Sequence, residues 1–309
     1  MADYIAIDGG TTNTRICLVR DRQVVDTLRL HVGAKNGIVD KSLLTEGLKQ
    51  GIGELLGKHA LQEKDMKRIL ASGMITSEFG LVNLPHIPAP AGLTELHERM
   101  YETVLTHIAS VPFVFIRGVK MDSTAWEDAD MMRGEETELM GLADSEAGVY
   151  ILPGSHSKII ETDSRGRIAR FKTMLTGEMI SALSENTILK DAVDLREQTL
   201  QEEYLLKGFD YARQHGLNEA LFKVRILKNL YGAGDSALYS FYMGCVLCDE
   251  IRYIQKRNAP RIILGGKTAI KNAMAVLLRE YTQVPITVIP ARLAEHASAL
   301  GAVKIFEGQ

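Results

Sequence analysis

The chain has 309 residues, 46% hydrophobic and 24% charged, with a formal net charge of -3 and a pI near 6.3. That length allows two domains or one bilobed unit. The composition excludes disordered and collagenous classes, and scattered Lys and Arg exclude the basic footprint of a nucleic-acid binder. No stretch reaches the roughly 18 apolar residues that span a bilayer, and no apolar leader precedes Tyr4, so a cytoplasmic protein without a membrane partner is expected.

Three short strands open the chain, "YIAID" (4–8), "TRICLVRD" (14–21) and "VVDTLRL" (24–30), joined by a glycine-rich turn and a tight turn at Asp21 to Gln23. Leu44, Leu48, Ile52, Leu55 and Leu56 recur at helical spacing within 42–61. "RILASGM" (68–74) reads as a strand. Pro85, Pro88 and Pro90 predict irregular chain over 83–92, and "LTELHERMYETVLTHIA" (93–109) predicts a helix before the strand "PFVFIRG" (112–118).

The strand, turn and strand pattern returns at Val149 to Met174: "VYILP", the polar turn "GSHSK", "KIIETD", the tight turn "SRG" and "RIARFKTM". The two copies share form and almost no sequence. They predict two related α/β lobes whose polar turns face one another across a cleft. Helix and strand then alternate through 237–254, 261–267, 269–281, 285–290 and 293–306, a rhythm that favours parallel pairing with helical crossovers. The expected domains are an amino-terminal lobe over 1–140, to which a final helix (293–307) packs back, and a carboxyl-terminal lobe over 141–292. Cys245 and Cys248 form one C-x-x-C without a second ligand pair, which reads as small apolar residues on a buried helix rather than a zinc site.

Four motifs carry the chemistry. In "DGGTTNTR" (8–15), Gly9 and Gly10 let a phosphate approach the backbone, Thr11, Thr12 and Asn13 can donate to its oxygens, and Asp8 can hold a magnesium ion. In "LPGSHSK" (152–158), Gly154, Ser155, His156 and Ser157 repeat that chemistry, and Lys158 can neutralise charge on a leaving group. "MRGEETELMG" (132–141) sets Glu135 and Glu136 at a predicted helix start, either as a solvated acidic turn or as a general base for a substrate hydroxyl. Arg133 beside them can pair with an acidic group. "IILGGK" (262–267) ends a buried strand in Gly265, Gly266 and Lys267, where a flat ligand can lie on bare backbone.

In this order the motifs resemble the actin, hexokinase and Hsp70 superfamily. Within it, "DGGTTNTR", "SGMITSEFG" to "PHIPAPAG" (72–92), "MRGEETELMG", "LPGSHSK", "FKTMLTGEM" (171–179) and "ASALGA" (297–302) resemble the 2-dehydro-3-deoxygalactonokinases nearly end to end. The resemblance implies two ribonuclease H-like α/β lobes, each a mixed sheet with helices, around an ATP cleft. It also implies transfer of phosphate from ATP, with Mg2+, to the 6-hydroxyl of a keto-deoxy sugar acid. Gly9 to Asn13, Gly154 to Lys158, Thr176, Gly177, Glu178 and the 265–267 turn would then meet ATP, and Asp8 the metal. Arg15, Gly73, Met74, Ser77 and Arg133 would meet the sugar acid. The Asp-Thr pair of hexokinase-like members corresponds to Glu136-Thr137, which implies Glu136 as base with Glu135 as the alternative. Glu78 stands where the family pattern has a basic residue, which leaves another sugar or keto-deoxy acid open as substrate. A non-catalytic nucleotide-gated regulator is the rival from another class. A homodimer is compatible with all of these readings.

Overall fold

The structure is a computed structural model that describes residues 3–197, 199–266 and 269–308, apart from the side chains of 38, 39 and 41. Two compact units divide the chain. One comprises Met1–Glu146, Glu161–Phe171 and Arg292–Gln309, the other Ala147–Ile160 and Lys172–Ala291.

The first unit is built on β1 (Asp3–Gly9), β2 (Thr14–Arg20), β3 (Gln23–Leu30) and β4 (Met66–Gly73), with α1 (Ala34–Val39) and α2 (Lys41–Lys58) between β3 and β4. Then follow β5 (Ile87–Pro88), α3 (Leu93–Glu98), β6 (Tyr101–Thr103), β7 (Phe113–Phe115), β8 (Val119–Met121), β9 (Asp130–Met132) and α4 (Glu135–Leu142). Six strands form a mixed sheet in the order β3-β2-β1-β4-β7-β6. Strands β1, β2 and β3 pair antiparallel and β4 joins β1 in parallel. Asp21 and Arg22, both at positive φ, supply the left-handed turn that matches strand twist in a two-residue hairpin. The sheet packs on α2 through Ile5, Ile7, Ile16, Leu18, Leu48, Ile52 and Leu55, the residues whose spacing marked the helix.

The helix expected over 93–109 is cut short. It ends at Glu98, and Tyr101–Thr103 becomes an edge strand on β7, with Tyr101 opposite Phe115. Tyr and Thr fit a pleated edge better than a helix, and the open edge of β7 offers backbone partners that a seventeen-residue pattern cannot foresee. The proline segment is irregular apart from β5, which joins β8 and β9 in a small three-stranded sheet.

A second sheet repeats the topology with β10 (Gly148–Leu152), β11 (Ser157–Thr162) and β12 (Ile168–Met174), of which residues 161–162 and 168–171 are counted with the first unit, and the second unit continues with α5 (Thr176–Asn186), α6 (Glu202–His215), α7 (Leu217–Tyr231) and α8 (Asp235–Gln255). It closes with β13 (Ile262–Leu264), α9 (Ala269–Tyr281) and β14 (Ile286–Val288). The order β12-β11-β10-β13-β14 mirrors β3-β2-β1-β4-β7, and β10, β13 and β14 are parallel. Its core is largely α8, which crosses α6 so closely that a side chain at Gly208 or Gly244 would strike the facing helix backbone. Cys245 and Cys248 are buried on α8, where desolvation pushes both thiols up, Cys248 to about 11. Among the described residues no helix is long and apolar enough to cross a membrane.

The last helix, α10 (Ala291–Glu307), packs in the first unit against α4. Gly141 and Gly301 lie at this crossing, and a Cβ at either would fall within 2.0 Å of a carbonyl oxygen of the other helix, Ala297 or Thr137. The "ASALGA" segment therefore allows close approach of the helix whose first turn carries the acidic pair.

Candidate active site

Asp8 lies near the end of β1, paired in register with Arg15 of β2 and Ser72 of β4. Its carboxylate forms an ion pair with the Arg15 guanidinium, both side chains being about three-quarters buried. The turn that follows is braced from outside. Gly10 donates to the Asn13 carbonyl at 2.9 Å, and the first amides of α1, Ala34 and Lys35, donate to the Gly10 and Thr11 carbonyls at 3.0 and 2.8 Å. Gly33 has no room for a side chain beside those carbonyls. Thr11, Thr12 and Asn13 are left exposed, and among the described residues the Thr11 and Thr12 amides donate to no backbone carbonyl. A rigid turn with exposed hydroxyls and uncommitted amides is suited to an oxyanion.

Glycines bring a second segment to this turn. Gly73, at φ 84°, ends β4 beside Gly9, and the Cβ position of Gly134 falls 3.2 Å from the Gly73 Cα. Gly134, at φ 114°, precedes α4. Of the two readings of the acidic pair, the solvated turn does not hold for Glu136. Glu136 is fully buried, both its carboxylate oxygens accept the Gly134 amide at 2.8–2.9 Å, and the Thr137 hydroxyl donates to it at 3.0 Å. Burial, then the charge of Glu135, pushes the Glu136 carboxyl up to about 8 despite those bonds. Glu135 is only half-buried and accepts the Arg133 amide at 3.1 Å.

Because folding raises its pKa, Glu136 favours the folded state at low pH, and that contribution is lost as pH rises from the unfolded value, about 4.3, through about 8. Glu136→Gln is therefore expected to gain stability relative to the wild type across that window. Thermal melts at intervals from pH 5 to 9 would show a widening difference; a constant one would contradict burial of the charge.

Glu138, three residues beyond Glu135, was missed in the sequence motifs. Burial pushes it up to about 8, with the negative charge of Asp8 adding to the rise and Arg15 opposing it. The i to i+3 spacing from Glu135 places both on one side of α4 and was the available signal. Among the described residues no three metal-ligating side chains are preassembled. Asp8 with Glu138 beside it nevertheless fits magnesium, which binds through one or two carboxylates and completes its shell with water and phosphate.

Arg133, expected beside the sugar acid, is half-buried. Its guanidinium donates to the Thr76 carbonyl and hydroxyl, both at 2.7 Å, and to the Leu84 carbonyl at 3.0 Å, with His86 at 3.3 Å. It ties Thr76, Leu84 and His86 together, and burial together with Arg133 pushes His86 down to about 4. Ser77 is likewise turned inward, donating to the Met74 carbonyl at 2.7 Å, whereas Met74 is half-buried and Glu78 exposed.

In the second unit the 154–158 turn divides in two. Ser155 and His156 are exposed, and His156 pairs with Glu178 at 3.0 Å. Ser157, Lys158 and Thr176 are buried. The Gly177 amide donates to the Gly154 and Ser155 carbonyls, and that of Glu178 to Ser155. These amides hold the turn in place of a ligand, because the first turn of α5 lies directly under it. Glu250, on α8, accepts the Thr176 hydroxyl. Gly265 donates to the Ile151 carbonyl at 2.8 Å, and Gly266, at φ 77°, packs on Pro153. That conformation and contact require glycine whatever the ligand. Lys267 lies outside the described residues.

The 2-keto-3-deoxy-galactonokinase family model matches residues 8–304. The 2-dehydro-3-deoxygalactonokinase of Escherichia coli (strain K12) is 24% identical over 276 residues, 85% of this chain and 86% of that protein. A crystal structure from Sinorhizobium meliloti, to which the same activity is provisionally ascribed, superposes with a TM-score of 0.79 at 21% identity, covering 97% of this chain and 96% of its own. Component A of the (R)-2-hydroxyglutaryl-CoA dehydratase of Acidaminococcus fermentans superposes at 0.53 with 15% identity, covering 98% of this chain and 96% of its own. The fold is thus of the actin and hexokinase type.

Proposed function

This chain belongs to the 2-keto-3-deoxy-galactonokinase family, and on that premise we propose that it phosphorylates the 6-hydroxyl of 2-dehydro-3-deoxygalactonate with ATP and Mg2+. The observation that carries the reading lies within the first unit. The braced Asp8 turn, with its exposed hydroxyls, shares a glycine-lined junction with the start of α4, so phosphate-binding groups and a half-buried carboxylate come from neighbouring strand and helix ends.

Glu135 orients the acceptor hydroxyl and takes its proton. Glu136, buried on the Gly134 amide, fixes the turn that aims it. Asp8, with Glu138 beside it, holds the magnesium, which neutralises charge on the phosphates of ATP. Arg15, anchored by Asp8, is the cation beside the transferred group. In the first unit Thr11 and Thr12 offer donors to phosphate oxygens, and in the second, taken by itself, the exposed Ser155 and His156 offer the same chemistry.

A coupled assay of ADP release across keto-deoxy and aldonic acids tests the reading, with 2-dehydro-3-deoxygalactonate expected to give the highest kcat/KM. Turnover of a different acid would favour the second reading, which the exposed Glu78 and the committed guanidinium of Arg133 support. Turnover of a neutral sugar alone would sink the sugar-acid assignment and leave the kinase assignment intact.

A further inference from the structure

Helix α8 is buried along almost its whole length, yet it carries one carboxylate in its buried face. Glu250 is 2% exposed, among Val246, Leu247, Ile251 and Ile254. An apolar residue of that size would pack there without losing the hydration of a charge, so the site asks for a compensating role. The Thr176 hydroxyl bonds to Oε1, and Oε2 has no hydrogen-bond partner. Burial pushes the carboxyl up to about 7, opposed by the hydroxyls of Thr176 and Ser157.

Those hydroxyls belong to the two segments that shape the 154–158 turn. Thr176 opens α5, whose next amides, of Gly177 and Glu178, are bonded to the carbonyls of Gly154 and Ser155. Contact there leaves no freedom, since a Cβ on Gly177 would fall 2.5 Å from the Gly154 oxygen. Ser157 opens β11 and is fully buried on the other side of the turn. The backbone bonds fix the turn against α5, and Glu250 holds the first residue of α5 through the Thr176 hydroxyl.

We propose that Glu250 is a positioning residue for phosphate binding: by holding Thr176, the first residue of α5, beneath the turn, it sets the height at which Ser155 and His156 meet a nucleotide. The inference rests on the nucleotide reading of this turn. It assigns a role to a residue that touches no substrate, so its effect falls on nucleotide affinity and leaves the sugar-acid KM alone.

Calorimetric titration with ADP and magnesium tests it, using Glu250→Ala, the near-isosteric Glu250→Gln and Thr176→Val, which removes the same bond without a large cavity. Glu250→Ala and Thr176→Val are expected to weaken ADP binding about tenfold, the order for loss of one buried hydrogen bond, and Glu250→Gln by about twofold at most. Amide exchange over 154–158 should quicken in the first two, with the KM for the acid unchanged in all three. ADP affinity at the wild-type level in folded Glu250→Ala overturns the proposal. If that variant does not fold, unchanged affinity in Thr176→Val overturns it. A wild-type protein that binds no ADP overturns the nucleotide reading instead.

Discussion

Glu135→Gln is expected to lower kcat about a hundredfold or more, the range for loss of a general base, while KM for the sugar acid and affinity for ADP stay near the wild type. The amide keeps the size and the acceptor oxygen that receives the Arg133 amide, so the turn should survive and only proton acceptance is lost. Glu136→Gln separates the two carboxylates. Its oxygens are spent on the Gly134 amide and the Thr137 hydroxyl inside the protein. Substitution there should cost much less in kcat and act mainly on stability above neutral pH. Single-turnover and steady-state kinetics of both variants decide the matter. A near-normal Glu135→Gln beside an inactive, folded Glu136→Gln would return the base to the buried residue and require α4 to release it on substrate binding.

Asp8→Asn should produce the second large loss, with turnover down about a hundredfold and half-maximal activity shifted to about tenfold higher Mg2+. Asp8 is the carboxylate near the end of β1, and its charge raises the pKa of Glu138. Removing its charge leaves one carboxylate, and leaves Arg15 without its ion-pair partner. Arg15→Gln serves as the control, because it frees Asp8 and should leave the Mg2+ requirement near that of the wild type while slowing transfer. Activity of each variant titrated with Mg2+ at fixed ATP gives the comparison. An unchanged Mg2+ profile in Asp8→Asn would remove the metal from this carboxylate.

The strands and turns of both units were legible because alternation and hairpin chemistry are local. β1 to β3 and β10 to β12 follow the patterns of their own residues, and Asp21-Arg22 turns the chain through its own left-handed backbone. The segment 93–109 was misread because its second half is held by β7, a partner contributed from later in the chain. The site was legible as a set of motifs and illegible as a set of directions. "GSHSK" and "TGE" each contain residues that point both ways, with Ser155 and His156 outward and Ser157, Lys158 and Thr176 inward. Glu250 carried little signal, since exposed Asp249 precedes it and makes the pair read as a solvated face.

By itself the sequence determined the chemistry in stock: an acidic residue at a glycine-threonine turn, a second such turn, and a glutamate pair at a helix start, in the order of a sugar-acid kinase. These depend on residue type and short spacing, which a chain carries wherever it folds. Only the tertiary structure decided which members of each motif are free to act. Burial is set by what packs against a side chain, so the fold turned Arg133 into a clamp and Glu136 into a buried anchor of its own turn. It left Glu135 half-buried and Thr11, Thr12, Asn13, Ser155 and His156 exposed.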